Sequence, residues 1–211
     1  MGNIRLMAVG GYNEMGRNMT AVEVDGECVI LDMGLRLDRI QIHEDVELEK
    51  MHSLDLIKME AIPDDTVLSG NVGKVKAIVS THGHLDHVGA IPKLAHRYDA
   101  PIISTPYTQQ IVRELIKKER KFGVENKLVP LSAGESMEVG KGLTLEFVNA
   151  THSIPQTVFV VLHTPYGAVF YANDFKLDRT PTLGEAPDFR RLKQIGKEGV
   201  ALMLAESTNS G

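Results

Sequence analysis

The sequence predicts an α+β domain built around buried β-sheets, and three observations predict it. One is the β-branched apolar run from Val75 to Ser80, which opens the stretch VKAIVSTHGHLDHVGAIPKLAHRY and leads into a helix-like segment from Val88 to Tyr98. Another is a series of short apolar runs separated by Gly, Pro, Asn and Asp along the whole chain. The third is positional. Residues able to bind metal follow these runs repeatedly: Asp32, then His82, His84, Asp86 and His87, then His152, Asp174 and Glu206. If the strands share sheets, their ends gather in one rim, where binding and hydrolytic sites are commonly built.

The elements follow in order. Ile4 to Val9 alternates as a strand, and Gly10 to Asn18 is a Gly- and Asn-rich loop suited to positive φ and close backbone approach. Thr20 to Val24 and Cys28 to Leu31 read as a hairpin turned at Asp25-Gly26, ending in Asp32. Residues 35–66 are the least legible. They are acidic around Glu44 to Glu49, with Met51, Leu54, Ile57 and Lys58 on one helical stripe, and His43 and His52 read as surface or packing residues. Beyond the central stretch, Pro101 to Ser104 is a strand, and Thr105-Pro106 opens a helix from Tyr107 to about Phe122 that Gly123 ends. Lys127 to Leu131, Ser136 to Val139 and Leu143 to Asn149 are strands, the last running into His152. Thr157 to His163 and Ala168 to Ala172 form a hairpin ending at Asp174, and Val200 to Ala205 is a further strand that reaches Glu206.

Composition narrows the class. A chain of 211 residues can bury a real core, or be a large piece of something bigger. Hydrophobic residues at 43% and charged residues at 24% are ordinary for a globular chain, and no repeat or low-complexity tract stands out. The single cysteine, Cys28, lies within a strand-like run and reads as a core residue in a reducing cytoplasm. The N-terminus has no signal-peptide pattern, Leu6 stands where a myristoylation motif needs Ser or Thr, and no apolar run approaches the ~20 residues of a membrane helix. A cytoplasmic protein without a membrane partner is expected. The net charge of −5 does not advertise a nucleic-acid binder, although bound divalent cations would reverse the local field where a phosphate needs it. Two basic clusters, Lys117, Lys118, Arg120 and Lys121, and Arg190, Arg191 and Lys193, read first as solvated helix faces.

The chemistry sits at the end of the central strand. Three histidines and an aspartate within residues 82–87 are hard to explain by packing, because unpaired buried polar groups are costly. Imidazole with carboxylate suits zinc, manganese or iron, and alternation along an extended loop can aim His82 and His84 at one ion while Asp86 and His87 face a second. Asp32 fits either a turn or a support that holds a metal-binding histidine in position.

Thr81-His82-Gly83-His84-Leu85-Asp86-His87 matches the HxHxDH signature of the metallo-β-lactamase superfamily, and His152, Asp174 and Asp32 follow that superfamily's pattern in order. The flanks GGYNEMGRN, VILDMGL, THGHLDHVGAIP, THSIP, NDFKLD and LAEST resemble the ribonuclease J family of archaeal type, within the β-CASP nucleases. The resemblance implies a four-layer αββα sandwich and two divalent ions, with zinc the expected metal. One ion would be held by His82, His84 and His152, the other by Asp86 and His87, with Asp174 bridging, Asp32 in support and Glu206 in the first β-CASP motif. It implies hydrolysis of RNA phosphodiesters, exonucleolytic from a 5′-monophosphorylated end with possible endonuclease action. A water acidified by two ions ~3.5–4 Å apart would attack phosphorus, and Asp86, with His87 beside it, is the catalytic candidate for orienting or deprotonating it.

In the family a β-CASP insert and returning strands follow, and these supply a further histidine. Residues 1–211 are therefore expected to be the N-terminal part of the lactamase domain, ending where the β-CASP domain starts. Such a piece would hold the second ion less well, show little nuclease activity alone and leave an open sheet edge that invites a homo-oligomer. The same motif also serves thioesterases and lactonases. A non-catalytic RNA-binding piece would rest on Lys117 to Lys121 alone.

Overall fold

A computed structural model describes residues 3–41 and 51–208. His43 and the acidic run Glu44 to Glu49 lie outside the described residues. Six strands form the first sheet in sequence order: β1 (Ile4–Gly10), β2 (Met19–Val24), β3 (Glu27–Leu31), β4 (Val75–Val79), β5 (Ile102–Ser104) and β6 (Leu128–Pro130). The Asp25-Gly26 turn has positive φ at both residues (50° and 88°), the geometry of a two-residue hairpin that follows the strand twist. From β3 onward the neighbours run parallel. The second sheet has the order β11-β10-β9-β8-β7 and contains β7 (Ser136–Gly140), β8 (Leu143–Asn149), β9 (Val158–Thr164), β10 (Gly167–Ala172) and β11 (Val200–Ala205).

Alternation along the strands sorts side chains into layers. Val29, Leu31 and Val79 of the first sheet meet Leu145, Phe147, Val160 and Val169 of the second, while Cys28, Ile30 and Ile78 turn outward. That outer face is covered by α1 (Leu37–Gln41), α2 (Ser53–Lys58), α3 (Leu85–Val88), α4 (Ile91–Leu94) and α5 (Pro106–Lys118). Among these, Leu56, Val88, Ile91, Leu94 and Val112 are buried against it. On the far side α6 (Phe189–Glu198) buries Ile195 against Val148, Val161 and Phe170. The result is helices, sheet, sheet, helix: the αββα sandwich. Full burial of each such side chain contributes about 1.5–3 kcal/mol, so both the two-sheet interface and the helix-covered outer face store stability.

Three expectations change. The helix expected from Val88 to Tyr98 is broken into α3, α4 and a 3-10 turn at Ala95–Arg97. The His87 carbonyl accepts from Met33 N (2.8 Å) and Ala90 N donates to the Met33 carbonyl (2.9 Å), so bonds that would continue the helix go to the chain after β3. The long helix likewise stops at Lys118, with a 3-10 turn at Arg120–Phe122 before Gly123. The third change concerns Arg191, which is not on a solvated face: its guanidinium grips Glu146 of β8 through Nε (2.6 Å) and Nη2 (2.8 Å). Arg190 and Lys193 remain exposed, as do Lys117, Lys118, Arg120 and Lys121 at the end of α5.

Glu146 also meets His163 Nε2 at 2.6 Å. Burial alone would raise its pKa, but the bonds from Arg191 and His163 outweigh that and hold it below the usual value. A depressed carboxylate contributes stability that is present above its unfolded pKa and lost as pH falls through the folded one. Glu146→Gln is therefore expected to cost about 1.5–3 kcal/mol at pH 7. In parallel melts of the two proteins, that difference should vanish once the pH is below the folded Glu146 pKa.

Candidate metal centre

The C-terminal ends of β3, β4, β8 and β10 point to the same end of the sandwich, and the loops that follow them carry the candidate residues. The loop after β4 bends through Thr81 to Gly83, His84 is extended, and the single turn α3 then presents Asp86 and His87. Val158 N donates to the Thr81 carbonyl across the two sheets (3.1 Å), which ties the rim together. Asp32 and Asp174 both adopt left-handed backbone, with φ of 60° and 47°. Aspartate tolerates this region better than most residues, yet two such positions at one rim mark strained corners.

Nitrogens and carboxylates converge as two groups with a common member. His82, His84, His152 and Asp174 form one, and Asp86, His87 and Asp174 the other, with all donor atoms within 4.8 Å of one another in each. His84 Nδ1 lies 3.1 Å from His82 Nε2 and 3.2 Å from His152 Nε2. Asp174 Oδ2 is 3.4 Å from His152 Nε2, 3.5 Å from His87 Nε2 and 3.9 Å from His82 Nε2. Donors around a tetrahedral ion at bond lengths of about 2.0–2.1 Å sit roughly 3.3 Å apart, so these spacings suit a small divalent cation.

The supporting bonds fix which nitrogens face inward. Thr81 donates to Asp32 from its backbone (2.9 Å) and its hydroxyl (3.1 Å), which leaves that hydroxyl to accept from His82 Nδ1 (3.0 Å). His87 Nδ1 donates to Asp32 Oδ2 (2.9 Å). His82 Nε2 is thus left with a bare lone pair aimed at the shared space, and His87 turns its Nε2 the same way with Nδ1 held by Asp32, the arrangement of a carboxylate-backed metal ligand. Asp32 is fully buried and also accepts from the Tyr171 hydroxyl (3.2 Å).

Electrostatics asks for a cation here. Burial, with the charge of His87 added, pushes the His82 pKa far down, so this imidazole is neutral and free to ligate. Burial would lower His87 too, but Asp32, Asp174 and Asp86 more than offset it and hold its pKa well above normal. Three carboxylates around one ring stabilise positive charge at Nε2, whether a proton or a metal ion supplies it. Asp86 and Asp174 are held below the usual carboxylate range: burial opposes this, and His87 outweighs it.

Glu206 is not among the grouped donors. Its Oε1 accepts from Phe175 N (3.1 Å), so it braces the loop that carries Asp174. His52 is exposed, as expected, and Cys28 is buried with its thiol pKa raised to about 12 by desolvation, so it is an inert core residue. Two contributors were missed as individuals. Asn18 N donates to the Asp86 carbonyl (3.1 Å), and its Nδ2 donates to that carbonyl as well (3.0 Å) and lies 3.2 Å from His87 Nε2. Tyr171, within an apolar strand, carries the hydroxyl that reaches Asp32. Only the Gly-rich loop containing Asn18 hinted at the first, and nothing hinted at the second.

Comparison with known proteins agrees with this architecture. Ribonuclease J of Methanocaldococcus jannaschii is 58% identical over 205 residues, covering 97% of this chain and 46% of that protein. Ribonuclease J of Pyrococcus abyssi is 54% identical over 206 residues, with 97% and 45% covered. The chain spans about half the length of these curated relatives. Among solved structures, a protein of unknown function from Enterococcus faecalis superposes with TM-score 0.60 at 16% identity, over 84% of this chain and 44% of that one. A metallo-β-lactamase with a HARLDQ motif from Cronobacter sakazakii gives TM-score 0.55 at 16% identity, over 95% and 76%; both likenesses concern fold alone. The model of the beta-lactamase superfamily domain matches residues 53–188, from the start of α2 to the cap of α6. With more than half of its length in that match, the chain belongs to the metallo-β-lactamase superfamily.

Proposed function

We propose that this chain is the metal-binding portion of a ribonuclease of the ribonuclease J type, a hydrolase that cuts RNA phosphodiesters with two divalent ions, zinc being the metal the family resemblance implies. One observation carries the reading: two donor groups meet at Asp174, in a chain 58% identical to a ribonuclease J. His82, His84 and His152 would hold one ion, Asp86 and His87 the other, and Asp174 both. When bound, such a pair acidifies water and neutralises charge on the phosphate oxygens. Asp86, ionised and turned toward the shared space, orients the attacking water and takes its proton. His87, backed by Asp32, keeps that carboxylate and the second ion in register. Asp32 and Glu206 hold the loops.

The finer parts of the reading are 5′-to-3′ exonuclease action with possible endonuclease cuts, a 5′-monophosphorylated RNA substrate and a cytoplasmic setting. They also include a lactamase domain that continues into a β-CASP domain, and self-association through the free edge of β11, where Met203 is 60% exposed. No helix among the described residues is long and apolar enough to cross a membrane.

The test is cleavage of 5′-monophosphorylated RNA by zinc-loaded protein at stoichiometric concentration, beside S-lactoylglutathione hydrolysis. RNA cleavage lost on chelation and in His82→Ala supports the reading, and thioester hydrolysis without RNA cleavage sinks it. Zinc titration adds a second check. The Asp86/His87/Asp174 group has three donors against four, so its ion should bind more weakly, and protons compete for both groups as pH falls. Calorimetry should resolve a tighter and a weaker ion at neutral pH, with fewer ions bound in acid.

A further inference from the structure

A cavity of about 560 Å³ lies between the Gly10–Asn18 loop, the end of β10 and residues 204–208, and Asp86 and Asp174 open onto it. It is large enough for one nucleoside. Its lining among the described residues contains no lysine, arginine or histidine, and it includes the carboxylates of Glu14 and Glu206. Glu14 is ion-paired with Arg17, so the negative charge here comes chiefly from Glu206, Asp86 and Asp174, which disfavours a phosphate away from the donor groups. The walls suit neutral groups: peptide edges at Gly10 and Gly11, the amides of Asn13 and Asn173, and the ring of Tyr12.

Tyr12 is 46% exposed although its hydroxyl is fixed, bonding Thr20 Oγ1 at 2.7 Å. Thr20 is buried. The ring is thus a half-open aromatic face held at its far end, so little rotamer freedom is lost when something stacks on it. The loop behind it is constrained as well: Gly11 has φ of 84° and a Cβ there would lie 2.4 Å from Asn18 Oδ1.

We infer that this cavity receives the nucleoside next to the scissile phosphate, with its base stacked on Tyr12, an inference that rests on the nuclease reading above. The donor groups of Asp86, His87 and Asp174 would hold metal that binds the phosphate, and Tyr12 sets the position of the adjoining base. Base stacking on an aromatic side chain tolerates any sequence, so Tyr12 fixes register along the strand rather than base identity.

The experiment compares zinc-loaded protein binding to a fluorescent five-residue phosphorothioate oligoribonucleotide and to its abasic counterpart, which has the same charge. Wild type should prefer the base-bearing strand. Tyr12→Leu should weaken that strand about tenfold or more and leave the abasic strand within about twofold, while Tyr12→Phe should keep the preference. Equal binding of both strands by wild type overturns the inference without any variant, as does a Tyr12→Leu protein that retains the full preference. Cleavage of ordinary RNA, measured separately and checked with His82→Ala, reports on the nuclease reading alone. Absence of cleavage with base-dependent binding intact would remove that reading and leave Tyr12 as a nucleic-acid contact.

Discussion

On the proposed reading, replacing Asp174 with alanine is expected to lower hydrolysis by more than about 100-fold and to reduce the amount of zinc bound. Its Oδ2 atom lies within 3.9 Å of three different imidazole nitrogens, drawn from both donor groups. Losing a residue that merely steadies a ligand typically costs about 10–100-fold, which is the range expected for Asp32→Asn or Glu206→Gln. Asp174 should exceed it because one substitution removes a donor from each group and leaves His87 facing one carboxylate fewer. Elemental analysis of the dialysed variant, beside its rate, checks both halves. Retention of two ions at wild-type affinity would mean that the groups are independent.

The second large effect is expected at a residue with no side chain. A Cβ on Gly34 would fall 1.5 Å from the Asp86 carbonyl oxygen and 2.2 Å from its carbon. Both are backbone atoms, so no rotamer change can relieve the clash. Gly34 N also donates to the Asn18 carbonyl (3.0 Å), and Asn18 N to the Asp86 carbonyl (3.1 Å), so three segments are locked at this point. Gly34→Ala should therefore destabilise by at least the 1–3 kcal/mol typical of overpacking, with about 2–4 °C lost per kcal/mol. It should also weaken the ion at Asp86 and His87 more than the ion at His82, His84 and His152. Gly73→Ala, where a Cβ meets nothing within 4 Å, is the control. Melting curves with zinc titrations distinguish a local wedge from general instability.

What the sequence disclosed followed from how local each cause is. The strands expected from apolar runs at Val75 to Ser80 and Thr157 to His163 form within one residue of those bounds, as Val75–Val79 and Val158–Thr164, and the Asp25-Gly26 turn forms as well. The HxHxDH spacing is local too, and His82, His84, Asp86 and His87 do share one rim. The broken helix after His87 could not be read, because its carbonyl is taken by Met33, more than 50 residues earlier in the chain. Arg191 looked like a surface cation for the same reason: its partner Glu146 lies on another element. Tyr171 was hidden in a different way. One more aromatic in an apolar strand says nothing of a hydroxyl that emerges at the strand's polar end.

The donors of the first group come from both sheets: His82 and His84 follow β4, while His152 and Asp174 follow β8 and β10. An ion seated there acts as a clasp across the sandwich, so its binding energy is added to the cohesion of the layers. Metal supply would then govern how tightly the two sheets of this chain are held together, before any substrate arrives.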